Sequence, residues 1–203
     1  IGGRIIMKEI TMVTGNKGKW KIASDIFKKR EILLSQEKIE TPEIQAYNVE
    51  EVSAYSAIYA ARKLGKPVIK SDVGYFIKSL NGFPGPFVKY INGMLTSEEI
   101  LELMKEKQDR TIILRECLTY ATPDRKFKQF LSEEFATISD KAYGEGSAFD
   151  RIVIFDGQEL PKSMNTAEEN FEHFKKTLTI YEQMADYIEG LEKNIEEDME
   201  IGD

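Results

Sequence analysis

Residues 68–90 read VIKSDVGYFIKSLNGFPGPFVKY. Two apolar runs, Val68-Ile69 and Tyr75-Phe76-Ile77, flank the polar stop Ser71-Asp72-Val73-Gly74. Short apolar runs bounded by turn signals read as buried strand. A carboxylate at a strand end lies where ligands of α/β proteins commonly bind. Asp72 is therefore a candidate metal or catalytic group, with a turn or capping aspartate as the plainer reading of the local pattern. The loop Asn81-Gly82-Phe83-Pro84-Gly85-Pro86 that follows is rich in turn residues, and its two prolines are expected to bar regular ladder pairing.

Upstream, residues 49–64 form a helical stretch closed by Gly65 and Pro67, and residues 32–34 with Ile39 form a strand stopped at Pro42. The run KEITMV at residues 8–13 reads as a buried first strand leading into Thr14-Gly15-Asn16-Lys17-Gly18-Lys19. Beyond it Trp20, Ala23, Ile26 and Phe27 recur at spacings of three and four, which makes one apolar helix face. Backbone N–H groups in a strand-to-helix loop, together with the helix N-terminus, form an anion site, and Lys19 adds a point charge. The spacing is not that of a Walker A loop, because no Lys-Ser/Thr pair follows. Turn-making alone also accounts for Gly15 and Asn16.

Downstream, Thr96 or Ser97 can cap a helix running to Lys107, with Glu98 and Glu99 in its first turn. Residues 111–122 and 127–138 read as two strands around a Pro123-Asp124 turn, and residues 152–155 as another. In the intervening Gly146-Ser147-Ala148-Phe149-Asp150, Phe149 offers a ring to stack on a base and Asp150 an acceptor for its N–H groups. The alternative is a core ring beside a turn acid. Thr166 and Glu169 form a capping box for one long final helix. Its apolar series Phe171, Phe174, Leu178, Tyr181, Ala185, Ile188, continued by Leu191 and Ile195, marks a core-facing stripe rather than a coiled coil. The only histidine, His173, sits beside that stripe as a partly buried residue or a ligand.

The 203 residues, 41% hydrophobic and 31% charged, suit one sizeable domain or two small lobes. The single cysteine, Cys117, excludes an internal disulfide framework and a multi-cysteine metal site. No apolar run approaches the roughly 18 residues of a membrane span. No signal-peptide pattern is present, so a cytoplasmic location without membrane contact is expected. The net charge of −7 argues against a protein that coats polymeric nucleic acid. Residues 191–203 hold six acids against Lys193, a net of −5, and form an acidic C-terminal tail; the rest of the chain carries only −2. Residues 1–6, ahead of Met7, are set apart as an upstream extension or cloning remnant, which leaves residues 7–190 as a single domain.

Taken in order, these segments resemble the inosine triphosphate pyrophosphatase family, also called Ham1-like. Thr14-Gly15-Asn16-Lys17-Gly18-Lys19 is similar to that family's Thr/Ser-Gly/Asn-Asn-x-x-Lys, and Glu43 in Thr41-Pro42-Glu43-Ile44-Gln45 to its glutamate before the second helix. The block at residues 68–90 looks like the acidic strand end followed by Leu-x-Gly-x-Pro-Gly-Pro-Phe/Tyr-x-Lys. Arg115-Glu116-Cys117-Leu118-Thr119-Tyr120 is similar to the Cys-containing strand. Residues 146–155 look like the Gly-Phe-Gly-Tyr/Trp-Asp-Pro-x-Phe loop, and residues 164–178 like the Met-x-x-x-Glu-Lys-Asn-x-x-Ser-His-Arg helix.

The resemblance implies an α/β fold with an elongated mixed β-sheet, flanking helices, and two lobes around a central nucleotide-binding groove. It implies Mg²⁺-dependent hydrolysis of nucleoside triphosphates, of the deaminated purine kind such as ITP and XTP, to the monophosphate and pyrophosphate. By the same resemblance Asp72, Lys19 and Glu43 are catalytic, Glu43 and Asp72 hold the metal, and Thr14, Gly15, Asn16, Lys19 and Ser71 surround the triphosphate and metal. Phe149 and Asp150 meet the base, and His173 aligns with the histidine that reads the purine 6-oxo group. A homodimer is also implied, with the aromatics of residues 83–90 either at its contact or covering a sheet edge.

The pattern departs from the family at Ser71-Asp72, where two acids are usual, at Ser147-Ala148, and at Arg151. Glu168-Glu169-Asn170 and Glu172-His173-Phe174 stand where a lysine and an arginine are expected, and helical phase points Lys175 and Lys176 elsewhere. These departures keep two other readings open: a Maf-like pyrophosphatase for another modified nucleotide, and a nucleotide-binding protein with little catalysis.

Overall fold

The computed structural model describes residues 8–200, with side chains for residues 9–191. Residues 1–6 lie outside the described part, as do residues 201–203 of the acidic segment. Strands β1 (Lys8–Val13), β2 (Ile32–Glu37), β3 (Val68–Ile77), β4 (Pro84–Gly85), β5 (Thr111–Ala121), β6 (Phe127–Ile138) and β7 (Val153–Phe155) build one mixed sheet. Its order is β2-β1-β3-β5-β6-β7, with β4 attached to β3. The pairs β1–β2 and β1–β3 are parallel and all others antiparallel. Around it stand helices α1 (Lys17–Lys29), α2 (Val49–Leu64), α3 (Val88–Met94), α4 (Ser97–Leu103), α5 (Ala167–Thr177) and α6 (Ile180–Glu200). The α/β class with a mixed sheet and flanking helices is thus observed.

Local chemistry sets the helix ends. Asn48 accepts from the Glu51 backbone N–H at 2.8 Å and starts α2, and Gly65 ends it in a left-handed conformation at φ 65°. The buried face of α2 is small, built from Ser53, Ser56, Ala57, Ala60 and Ala61. That lets the helix approach the sheet closely, and the Ser53 hydroxyl donates to the Lys70 carbonyl at 3.1 Å and the Cys117 carbonyl at 3.0 Å. The larger core lies between the sheet and α1, α5 and α6, where Phe27, Phe155, Tyr181 and Met184 are fully or almost fully buried. No helix among the described residues is long and apolar enough to cross a membrane.

Four sequence expectations change. The two runs around Asp72 belong to one continuous ten-residue strand, because the polar stop still pairs with β5 from Lys70↔Thr119 to Gly74↔Arg115. Pro84 does enter a short ladder, opposite Phe76. It is tolerated there because the adjoining bond runs from the Ile77 N–H to the Phe83 carbonyl (3.1 Å) and asks no donor of the proline. The helix capped by Thr96 ends at Leu103, and α3 forms ahead of it. The expected long final helix is two helices: Leu178 leaves helical geometry at φ −85°, ψ 75°, and α6 starts two residues later. Leu178, Ile180 and Tyr181 are all buried, so the apolar rhythm reported burial rather than helix continuity. The acidic segment continues α6 as far as Glu200.

Gly74 sits where β3 and β4 meet. A Cβ there would lie 2.8 Å from the Gly85 carbonyl oxygen and 2.8 Å from the Phe76 ring. Gly74→Ala is expected to cost about 1–3 kcal/mol of stability in urea unfolding. Gly93→Ala, whose Cβ meets nothing within 4 Å, should leave the midpoint unchanged or raise it.

Candidate active site

The site arises from how β3 is flanked. On one edge β5 pairs with the whole strand. On the other edge, β1 pairs only with Val68 and Ile69, and β4 only with Tyr75 and Phe76. Residues 70–74 therefore have no strand neighbour on that side among the described residues, and a groove of about 1000 Å³ opens over them. Its walls come from the loop after β1, the start of α1, Lys70 to Val73, Glu43, Lys89, and, further along, Ser147, Asp150, Lys162, Asn170, Phe171 and Phe174.

At one end of the groove lies the strand-to-helix loop. Asn16 is the N-cap of α1 and accepts from the Lys19 backbone N–H at 3.0 Å, while its own N–H donates to the Thr14 hydroxyl at 3.1 Å. No acid occupies the first turn of α1, so the positive end of the helix is left uncompensated beside the groove. The Lys19 ammonium donates to the Ser71 hydroxyl at 3.0 Å and pairs with Glu116 at 3.2 Å. Glu116 is 2% exposed and also accepts from the Tyr181 hydroxyl at 3.0 Å. A buried carboxylate on β5 and a buried phenol on α6 thus aim Lys19, leaving it ammonium capacity for an anion.

Sequence reasoning placed Glu116 only as part of a strand and missed this role. The readable signal was a charged residue inside the apolar run of residues 111–122.

Asp72 and Glu43 line the same groove as Asn16. Burial pushes the Asp72 carboxyl up to about 6, with Lys19 pulling down and Glu43 adding to the rise. Its Oδ2 atom is buried with no hydrogen-bond partner among the described residues. Glu43 accepts from Lys89 at 3.0 Å and Tyr90 at 3.1 Å. Burial raises its carboxyl, yet those two bonds outweigh it and hold the group below its ordinary value. Burial, with repulsion from Lys19, lowers the Lys70 ammonium. Among the described residues no group of three His, Cys, Asp or Glu could hold a metal ion. The donor set that does exist, an orphaned buried carboxylate oxygen with a second carboxylate in the same groove, fits Mg²⁺. That ion commonly takes one or two protein carboxylates and completes its shell with phosphates and water.

At the other end Asp150 accepts from Lys162 at 2.9 Å. Two expected base contacts are not brought here. Phe149 is fully buried and stacks on Tyr75 with ring centroids 5.3 Å apart, so its ring belongs to the core and offers no face to a ligand. The His173 ring pairs with buried Glu134 and lies outside this groove, among Glu172, Lys175, Lys176 and Glu182. Cys117 is buried too, and burial pushes its thiol up to about 11, which leaves no thiolate nucleophile.

Comparison with known proteins places the chain in a family. The profile of the Ham1 family matches residues 10–178. The chain belongs to the Ham1 family. Among its relatives, a Methanosarcina acetivorans protein named dITP/XTP pyrophosphatase is 32% identical over 173 residues, covering 85% of this chain and 94% of its own. A protein of the same name from Methanothermobacter marburgensis is 33% identical over 178 residues, covering 86% and 95%. The solved Ham1 protein of Staphylococcus aureus shares the fold with a TM-score of 0.71 at 22% identity, covering 90% of this chain and 99% of its own. The HAM1 protein of Coxiella burnetii does so with 0.73 at 19%, covering 91% and 100%.

Within this Ham1 chain the helix that carries the histidine turns a different residue to the groove. Phe174 lines the groove and His173 does not, since neighbouring helical residues point about 100° apart. The acids of this helix are not among the groove-lining residues, although Glu168 reaches a lysine that is. Glu169 is spent on the Thr166 capping box, Glu168 pairs with Lys21 at 2.9 Å, and Glu172 faces the His173 side. As expected from helical phase, Lys175 points elsewhere, to Asp25 at 2.6 Å. The groove itself is walled by Lys17, Lys19, Lys21, Lys70, Lys89 and Lys162 against Glu43, Asp72, Glu116 and Asp150.

Two outcomes follow for stability. A carboxyl whose folded pKa is raised binds its proton more tightly folded than unfolded, so Asp72 destabilises the fold progressively as pH climbs from about 4 to about 6. Without divalent metal, Asp72→Asn should therefore melt higher than the parent at pH 7.5, by about 1–3 kcal/mol, and the gap should close by pH 4. Tyr181→Phe removes a donor from buried Glu116 and should cost about 1–3 kcal/mol in the same melts.

Proposed function

We propose that this Ham1 protein hydrolyses deaminated purine nucleoside triphosphates, such as ITP and XTP, to the monophosphate and pyrophosphate. The observation that carries the reading is the meeting, in one groove, of an uncompensated helix N-terminus, the anchored Lys19 and the buried carboxylate of Asp72 with its unpartnered oxygen. Relatives that match most of the chain bear the name dITP/XTP pyrophosphatase.

In this reading the triphosphate lies along Thr14, Gly15 and Asn16, where backbone N–H groups and Lys19 meet its oxygens. Ser71 turns Lys19 toward it. Asp72 orients a water toward the α-phosphorus and takes its proton as the new P–O bond forms and the α–β bridging P–O bond breaks, releasing pyrophosphate. Asp72 and Glu43 would hold Mg²⁺, which when bound offsets phosphate charge and polarises the P–O bonds. Asp150 meets the base at the far end of the groove. The acidity of the whole chain does not oppose this, because six lysines face four carboxylates along the groove walls.

The test is pyrophosphate release from a panel of nucleoside triphosphates with Mg²⁺. ITP and XTP should be turned over well ahead of ATP. Asp72→Asn should lower kcat at least about 100-fold while the protein stays folded. The activity of the parent should fall at acid pH, where protons compete with the cation for the Asp72 carboxylate. Absence of turnover for every nucleotide at high enzyme would overturn the reading.

A further inference from the structure

We infer that Lys70 holds the leaving pyrophosphate, its ammonium donating to oxygens of the β- and γ-phosphates as the α–β bridging bond breaks. The inference rests on the function proposed above and adds a substrate-contacting residue to that site.

Lys70 is the first residue of β3 beyond the two that pair with β1, so it stands where β1 turns away into the loop Thr14-Gly15-Asn16. Asp72 lies two residues further, about 7 Å along the strand and on the same face, while Ser71 between them points to the other face. On that other face Ser71 meets Lys19. Lys19 and Lys70 therefore reach the groove from opposite sides of one strand edge, and both line it. The backbone of Lys70 is fixed on its remaining sides. It lies opposite Thr119 of β5, and its carbonyl accepts from the buried Ser53 hydroxyl at 3.1 Å.

The ammonium of Lys70 differs from those of the other groove lysines. Lys19 pairs with Glu116, Lys21 with Glu168, Lys89 with Glu43 and Lys162 with Asp150, while Lys17 is exposed to water. Lys70 is half-buried, and its ammonium makes no hydrogen bond or ion pair among the described residues. Helix α2, which packs on this face, brings no base to its buried side: the side chains there are small, and Arg62 and Lys63 lie in its last turn. A half-buried ammonium without a bonded acid costs free energy until an anion meets it.

The acids that act on Lys70 are Asp72 and Glu43. These are the carboxylates that would hold Mg²⁺, and a cation bound there takes up their charge. Glu116 and Asp150 already have partners. The anion left to Lys70 is then the substrate's. Lys70 lies between Asp72, at the α-phosphorus, and the loop that receives the outer phosphates, so it faces the β and γ groups. When the water oxygen bonds to the α-phosphorus and the bridging P–O bond breaks, its electron pair stays on the bridging oxygen and leaves with pyrophosphate. Lys70 keeps its proton and donates hydrogen bonds to that pyrophosphate, which stabilises the charge as it develops.

The experiment measures calorimetric binding of pyrophosphate and of IMP, each with Mg²⁺, in the parent, Lys70→Met and Lys70→Arg, alongside kcat/KM for ITP. Lys70→Met should weaken pyrophosphate binding by about 10- to 100-fold, lower kcat/KM by a similar factor, and leave IMP within about 3-fold. Lys70→Arg should recover part of both losses. In the parent, pyrophosphate should protect Lys70 from acetylation by acetic anhydride, read by mass spectrometry, and IMP should not. Unchanged pyrophosphate binding, or equal weakening of pyrophosphate and IMP, would overturn the inference and leave Lys70 as a counter-charge to Asp72 and Glu43. If the parent turns over no nucleotide, the proposed function fails, and pyrophosphate binding still decides the role of Lys70. If Lys70→Met does not fold, protection of Lys70 in the parent carries the decision.

Discussion

Between Ile69 and Tyr75, strand β3 has a hydrogen-bonded neighbour on one side only. Buried backbone groups have to be satisfied, so an unpaired strand edge persists only where water or a ligand can reach it. β1 departs after Ile69 and turns into the Asn16 loop; β4 returns at Tyr75 carrying the chain toward Lys89. The gap between them is the groove, and Asp72 lies at its midpoint with β5 behind it. Strand pairing thus decides where the phosphate-binding loop, the carboxylates and the lysines converge. The close approach of Gly74 to Gly85 marks the corner where the gap shuts again.

The electrostatics follow from that geometry. A carboxylate facing a groove between packed strands loses water, which is why burial is the largest influence on Asp72 and why its charged form costs stability. The lysines that face it reduce the penalty without removing it, and Lys70 is itself lowered by the same burial. Such a site is tuned for a ligand that brings its own negative charge and a cation. The chain's net −7 has little bearing here, since a large share of it lies in the last thirteen residues and the acids of α5 are not among the residues that line the groove.

The last third of the chain completes the site from behind. Tyr181 of α6 reaches through the core to Glu116, and Glu116 sets Lys19. The break between α5 and α6 allows this: α5 turns Phe171 and Phe174 to the groove while α6 buries Tyr181 under the sheet. One straight helix would carry both sets along a single stripe, and the stripe would have to serve the groove and the core at once.

Much of this was determined by the sequence alone. Apolar periodicity located β1, β6 and α2 to the residue, and the Thr166–Glu169 box located the start of α5, because these are local effects of propensity, capping and side-chain phase. Ordered motifs brought Asn16, Lys19, Glu43 and Asp72 into one proposal, and the structure brings them to one groove. What only the tertiary structure decided was which face a residue shows and what meets it there. Phe149 went to the core against Tyr75, His173 to Glu134, and Phe174 took the groove. Lys162 and Glu116 gained their places through partners 12 and 65 residues away. Such contacts depend on sheet order and helix breaks, long-range packing outcomes that no local pattern encodes.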